Sequence, residues 1–93
     1  MISHEEALRI ALGYLEDAYQ GEGFTFLMEP EKTTEYRTVW AIRFDTQERR
    51  DSGNMTKAPF MRVLVVPKDG SAPRFPPSAH PLNHYVAQLE AEL

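Results

Sequence analysis

The first twenty residues place apolar side chains at the three-to-four-residue spacing of an amphipathic helix. Ser3 and Glu6 form a capping-box pattern at the start of this segment. Gly21 and Gly23 are stop signals at its end. The pattern predicts a helix from about residue 4 to residue 20, with an apolar face made of Ala7, Leu8, Ala11, Leu12, Leu15, Ala18 and Tyr19.

Residues 24–45 alternate apolar and polar positions with a period of two, which indicates strands. One run covers residues 24–28, and a turn at residues 30–33 separates it from a longer run at residues 34–45. Strands joined by so short a turn are expected to pair antiparallel. The predicted core face of the longer run carries Tyr36, Thr38, Trp40, Ile42 and Phe44.

The second half of the chain predicts a polar loop, an apolar strand and a helix. Residues 46–58 are longer than a plain hairpin needs, and loops of this length are often functional. Residues 60–66 are the most apolar strand, and residues 72–75 indicate a short edge strand. Pro81 suits the first turn of a second helix, whose apolar stripe is Leu82, Tyr85, Val86 and Leu89.

The order of helix, three or four strands and helix predicts an α+β fold. We expect a two-layer sandwich, in which an antiparallel sheet of three or four strands carries the N- and C-terminal helices on one face. The chain has 93 residues, which is enough for one core. Residues 1–93 are therefore expected to form a single domain.

The sheet face opposite the predicted helices is more apolar than a solvent-exposed sheet face usually is. Large exposed apolar areas usually mark an interface. We therefore weigh a partner or homodimer surface against a face that the polar loop partly covers. The candidate surface residues are Leu27, Arg37, Val39, Ala41, Arg43, Arg62, Leu64 and Val66.

Composition and charge narrow the possible functions. The chain has no cysteine, which excludes disulfides, thiolate zinc sites and cysteine nucleophiles. Its net charge of −4 argues against nucleic-acid binding. No signal-peptide pattern or membrane-spanning run is visible, so we expect a cytoplasmic protein with no membrane contact.

The charges are distributed unevenly along the chain. Residues 1–31 hold one basic and seven acidic side chains, whereas residues 32–76 hold nine basic and five acidic side chains. The predicted helical layer is therefore acidic and the sheet layer mildly basic. This separation is typical of solvated helix faces, but it also favours an acidic patch that steers a basic partner.

We find no set of residues that predicts catalysis. His80 and His84 have the spacing of zinc ligands on a helix, but no third ligand stands nearby, so we interpret them as capping or surface residues. The serines lie near turns or helix starts, and none forms a nucleophile elbow. We expect a protein that is not an enzyme and has no catalytic residue, cofactor or metal.

Six short motifs follow one another along nearly the whole chain, each occurring once. They are Ala11–Leu15, Val39–Phe44, Gly53–Asn54, Ala58–Phe60, Lys68–Gly70 and Ala79–Tyr85. This order resembles the YrhB-like family, also called the immunity protein 35 family. The pattern positions that the resemblance carries over, as structural residues, are Trp40, Gly53, Asn54, Pro59 and Tyr85.

The resemblance implies a small α+β protein that acts by binding other proteins. Members are predicted immunity proteins, which neutralise a cognate toxin of a polymorphic bacterial toxin system, and one member is described as a heat-stable chaperone. The expected partner is therefore a toxin domain or, alternatively, unfolded client proteins. A homodimer through the sheet face is compatible with both alternatives.

Overall fold

The computed structural model describes residues 1–59, 61–77 and 81–92, and residue 92 is described by its backbone alone. It confirms the α+β class. The helices are α1 (His4–Ala18), α2 (Gln47–Ser52) and α3 (Leu82–Glu92), and the strands are β1 (Phe26–Met28), β2 (Thr34–Glu35), β3 (Val39–Thr46) and β4 (Val63–Pro67). Two short 3-10 turns cover Pro30–Lys32 and Met55–Lys57.

The four strands form an open antiparallel sheet centred on β3. β4 pairs along one edge of β3, with Val66 opposite Trp40 and Leu64 opposite Ile42. The other edge of β3 is shared, because β2 pairs with its first half and β1 with its second half. The predicted antiparallel sheet of three or four strands is therefore confirmed.

The long strand predicted over residues 34–45 is instead a tight hairpin made of β2 and β3. The chain reverses after Tyr36, whose backbone N–H donates to the carbonyl of Val39 at 2.9 Å. The reversal carries the Tyr36 side chain to the face occupied by α3 rather than the α1 face. Alternation of apolar and polar residues could not reveal this turn because the period of two continues through it.

Helix α1 covers one face of the sheet, as its amphipathic pattern predicts. Ser3 caps the helix, since its Oγ accepts the backbone N–H of Glu6 at 3.2 Å. The buried side chains on this face form one cluster. Its members are Ala7, Ala11, Leu15, Ile42, Phe44, Leu64 and Val66.

Helix α3 lies on the opposite face of the sheet, so the prediction that both terminal helices share one face is wrong. Val86 of α3 packs with Val39 and Val65, in a cluster separate from that of α1. These strand residues alternate with Ile42 and Leu64, which face α1. All five residues of β4 are buried, so the sheet needs an apolar cover on both faces, and α3 supplies the second one.

The register of β4 also differs from the one expected. The sequence analysis grouped Leu64 and Val66 with Val39 and Ala41 on one face. In the structure Leu64 lies opposite Ile42, and Ala41 lies opposite Val65. A shift of one residue in register exchanges the two faces of a strand, and both faces of β4 are apolar enough to allow either.

The polar segment at residues 46–58 is folded rather than an open loop. Thr46 caps α2, since its Oγ1 accepts the backbone N–H of Arg49 at 3.1 Å and donates to the carbonyl of Lys57 at 2.6 Å. Gly53 ends α2 with a φ of 69°, a conformation that glycine adopts without strain. Asn54 then caps the following 3-10 turn with its side chain. Both ends of α2 are therefore held by specific hydrogen bonds.

Two other predictions are only partly matched. The edge strand expected at residues 72–75 is reduced to an isolated bridge between Val65 and Arg74. The apolar strand begins at Val63, and Phe60 lies outside the described residues. Ser78 and His80, which precede Pro81 and which the sequence suggests as alternative caps of the second helix, also lie outside them. Within the described part of the chain, no helix has the length and hydropathy that crossing a bilayer requires.

The position of α3 predicts which substitutions in it destabilise the protein. Val86→Asp would place an unpartnered carboxylate between α3 and the sheet, where Val86 is buried. We expect the free energy of unfolding to fall by about 3 kcal/mol, measured by urea denaturation. Ala87→Asp is the matched control on the exposed side of α3 and should change it by less than about 0.5 kcal/mol. Equal losses from the two variants would contradict the observed placement.

Candidate protein-binding surface

The apolar residues of the predicted partner surface are not exposed. Val39, Ala41, Leu64 and Val66 are each at most 1% exposed to solvent. Val39 packs beneath α3, whereas Leu64 and Val66 belong to the core beneath α1. These four residues therefore do not form one surface, and the open apolar sheet face expected from the sequence is covered.

The remaining predicted residues lie at the surface or close to it, but at two ends of the sheet. Arg37 is exposed and its Nε lies 3.4 Å from Oε2 of Glu90 in α3. Arg43 is also exposed, while Leu27 and Arg62 are half-buried. Leu27 and Arg43 lie near the end of β3 that α3 leaves uncovered. The predicted residues that do lie at the surface are thus mainly basic.

Two buried carboxylates, Asp45 and Glu29, anchor the side chains at this uncovered end of the sheet. Asp45 is 4% exposed and Glu29 is 7% exposed. Arg49 binds Asp45 in bidentate fashion, with its Nε donating to Oδ1 at 2.6 Å and its Nη2 donating to Oδ2. Arg50 bridges the two carboxylates, because its Nη2 donates to Glu29 Oε2 at 2.6 Å and its Nε lies 3.5 Å from Asp45 Oδ2. Lys32 adds a weaker contact, with Nζ 3.5 Å from Glu29 Oε2.

Hydrogen bonds from Arg49 hold the pKa of Asp45 well below its usual range. Burial acts in the opposite direction, but the backbone N–H of Thr46, at 2.8 Å, and the positive charge of Arg62 also stabilise the carboxylate. The same pairing raises the pKa of Arg49. Asp45 therefore stays ionised and keeps α2 attached to the sheet.

We define the arginine patch as Arg43, Arg49, Arg50 and Arg62. Met55 lies beside it, with its Sδ 4.0 Å from Nη1 of both Arg49 and Arg62. Met55 is 60% exposed, which is unusual for a large apolar side chain. The arrangement combines two guanidinium groups that carboxylates hold in place, those of Arg49 and Arg50, with one exposed apolar side chain. Arginine and methionine are both enriched in protein interfaces.

A second polar cluster surrounds Trp40 at the other end of β3. The imidazole of His4 stacks on the indole, with ring centroids 4.9 Å apart, and Lys68 Nζ lies 5.0 Å from the ring. Trp40 Nε1 donates to the carbonyl of Ile2 at 3.1 Å, and Lys68 Nζ lies 2.6 Å from Glu35 Oε2. These contacts fasten the segment before α1 to the sheet, so the cluster has a clear structural role.

A small open cavity of about 290 Å³ adjoins this Trp40 cluster. Met1, Thr38, Lys68 and Asp69 line it. In this cavity the amine of Lys68 is paired with Glu35, and the carboxylate of Asp69 accepts hydrogen bonds from the backbone N–H and the hydroxyl of Ser71. Among the described residues, no group of three or more histidine, cysteine, aspartate or glutamate side chains could hold a metal ion.

The residues carried over from the family pattern lie in several parts of the fold. Gly53 and Asn54 connect α2 to the next turn, Pro59 is buried, and Tyr85 packs from α3 against the cluster around Val86. His84 is exposed on α3, and His80 lies outside the described residues.

The carboxylates that anchor the arginine patch are not among the site residues predicted from the sequence. Asp45 and Arg49 are four residues apart, and Thr46 between them is a helix N-cap, so this local signal was available. Glu29 and Arg50 are 21 residues apart and meet only because β1 pairs with β3. No spacing rule along the chain could have predicted their contact.

The family model of immunity protein 35 matches residues 5–88, which include the whole sheet, the arginine patch and most of α1 and α3. The chain belongs to the immunity protein 35 family. The resemblance to that family inferred from the ordered motifs is thus confirmed. No curated protein and no solved structure matches the chain.

The Asp45 network predicts how the stability of this immunity-family protein depends on pH. Because the folded protein lowers the pKa of Asp45, this carboxylate stabilises the fold above the unfolded pKa of about 4. The contribution is lost as pH falls from there through the folded pKa, because the unfolded chain takes up the proton first. Asp45→Asn should cost about 3 kcal/mol at pH 7, with a smaller difference from the unmodified protein at pH 3.

Urea denaturation between pH 3 and pH 7 measures this effect. Asp51→Asn is the matched control, because Asp51 is exposed and pairs only with the side chain of Gln47 among the described residues. It should leave both the stability and its pH dependence nearly unchanged. A constant difference between Asp45→Asn and the unmodified protein across this range would contradict the role assigned to Asp45.

Proposed function

We propose that the protein is a non-enzymatic immunity protein, which neutralises a cognate toxin of a polymorphic bacterial toxin system by binding it stoichiometrically. The observation that carries this proposal is the match to the immunity protein 35 family over residues 5–88. On this proposal the chain acts as a single domain in the cytoplasm and blocks the toxin by covering the surface that the toxin uses.

The fold is suited to steric inhibition. A stable protein–protein interface needs about 800 Å² on each partner, which is a modest share of the 5730 Å² of accessible surface on this chain. Both faces of the sheet are packed against helices, and α2 is capped at both ends, so the exposed side chains stand on a rigid framework. A rigid binder loses little conformational entropy when it associates.

The client-binding alternative has lost the feature that motivated it. It rested on exposed apolar area at Leu27, Val39, Ala41, Leu64 and Val66. The structure leaves Leu27 half-buried and buries the other four residues. The same burial removes the argument for a homodimer through the sheet face. We therefore do not carry either interpretation further.

Co-expression with the toxin domain encoded beside the gene tests the proposed function. We expect the protein to restore growth of cells that produce this toxin domain, and not of cells that produce a toxin domain from an unrelated system. The purified pair should form a one-to-one complex in size-exclusion chromatography with light scattering. Absence of both protection and a complex would reject the proposal, and protection at a small fraction of the toxin concentration would indicate catalysis instead.

A further inference from the structure

We propose that the arginine patch, together with Met55 beside it, is the surface that contacts the toxin. The partner surface it fits carries carboxylates around an apolar recess that takes the Met55 side chain. This inference rests on the proposed function and goes further, because it assigns the contact surface and states the chemistry of the toxin's side.

Met55 is the exposed apolar side chain of this surface. Among the described residues, Met1 is the only other large apolar residue that is exposed to solvent. Methionine and arginine are enriched in protein interfaces, and a flexible thioether adapts readily to the shape of a recess. Here Met55 stands between the guanidinium groups of Arg49 and Arg62. The patch thus has the anchor and the charged surround of an interface core.

The local charge also supports this surface as the contact with the toxin. Arg49 and Arg50 are paired with the buried carboxylates of Asp45 and Glu29. Glu48 and Asp51 also lie on α2, so the positive charge that no ion pair compensates among the described residues comes from Arg43 and Arg62. The outer face of α1 is acidic, with Glu5, Glu6, Glu16 and Asp17 all exposed. A basic area attracts an acidic protein surface to one place on a chain whose net charge is −4. A polyanion such as nucleic acid would be repelled by the rest of the chain.

The side chains are positioned before any partner arrives. Arg49 and Arg50 are held by Asp45 and Glu29 through charge-assisted hydrogen bonds. The helix that carries them is also tied to the chain before β1, because Glu48 Oε1 accepts the backbone N–H of Thr25 at 2.7 Å. A partner carboxylate therefore meets guanidinium groups whose geometry is already fixed, which lowers the entropic cost of binding.

The experiment is calorimetric titration of the purified protein with the toxin domain encoded beside its gene, in 0.1 M and 0.5 M salt. Met55→Glu should raise Kd by about 30-fold or more, while Met55→Leu should recover most of the affinity. Arg62→Gln should raise Kd by about tenfold at the lower salt and by less at the higher salt. Arg9→Gln removes the exposed arginine of α1 and is the matched control, with a Kd within about twofold of the unmodified protein.

The outcomes separate this inference from the proposed function. If the unmodified protein neither binds nor protects against the toxin domain, the proposed function fails and the inference fails with it. If it binds and protects while Met55→Glu and Arg62→Gln, shown to be folded by thermal denaturation, bind equally well, the inference is overturned and the proposed function stands. Analytical sedimentation gives the third outcome. If the unmodified protein self-associates and Met55→Glu abolishes this self-association, the patch binds a second copy of the chain and the inference is overturned.

Discussion

The burial of β3 on both of its faces is the constraint on which the rest of this structure depends. Six of its eight residues are buried, and successive side chains point to opposite faces of the sheet. Ile42 and Phe44 require the cover that α1 provides, whereas Val39 requires the cover that α3 provides. A helix on each face follows from this one strand, as does the absence of an open apolar sheet face within the described residues.

The same strand leads from the core to the charged end of the sheet. Its last residues are Asp45 and Thr46, and both bind the first turn of α2. A buried carboxylate needs compensation, and Arg49 and Arg50 provide it while keeping part of each guanidinium group in solvent. The interaction that satisfies the buried charge is therefore the one that displays the arginine patch.

On the proposed function, this arrangement would make a small protein selective for one partner. Area alone gives little selectivity, because affinity depends on a few well-placed anchors and on electrostatic fit. Charges held by buried partners and one exposed methionine offer such anchors on a rigid framework.

Local sequence pattern determined the α+β class, the position of α1 and the existence of the main strands, because periodicity and helix caps are properties of neighbouring residues. The order of short motifs along the chain determined the family. Neither determined which face α3 covers, the register of β4 or the reversal at Tyr36. Both faces of β4 are apolar, so its periodicity fits either register, and only packing against two helices selects one. Contacts such as Glu29 with Arg50 likewise exist only after distant segments pair, and tertiary structure alone decided them.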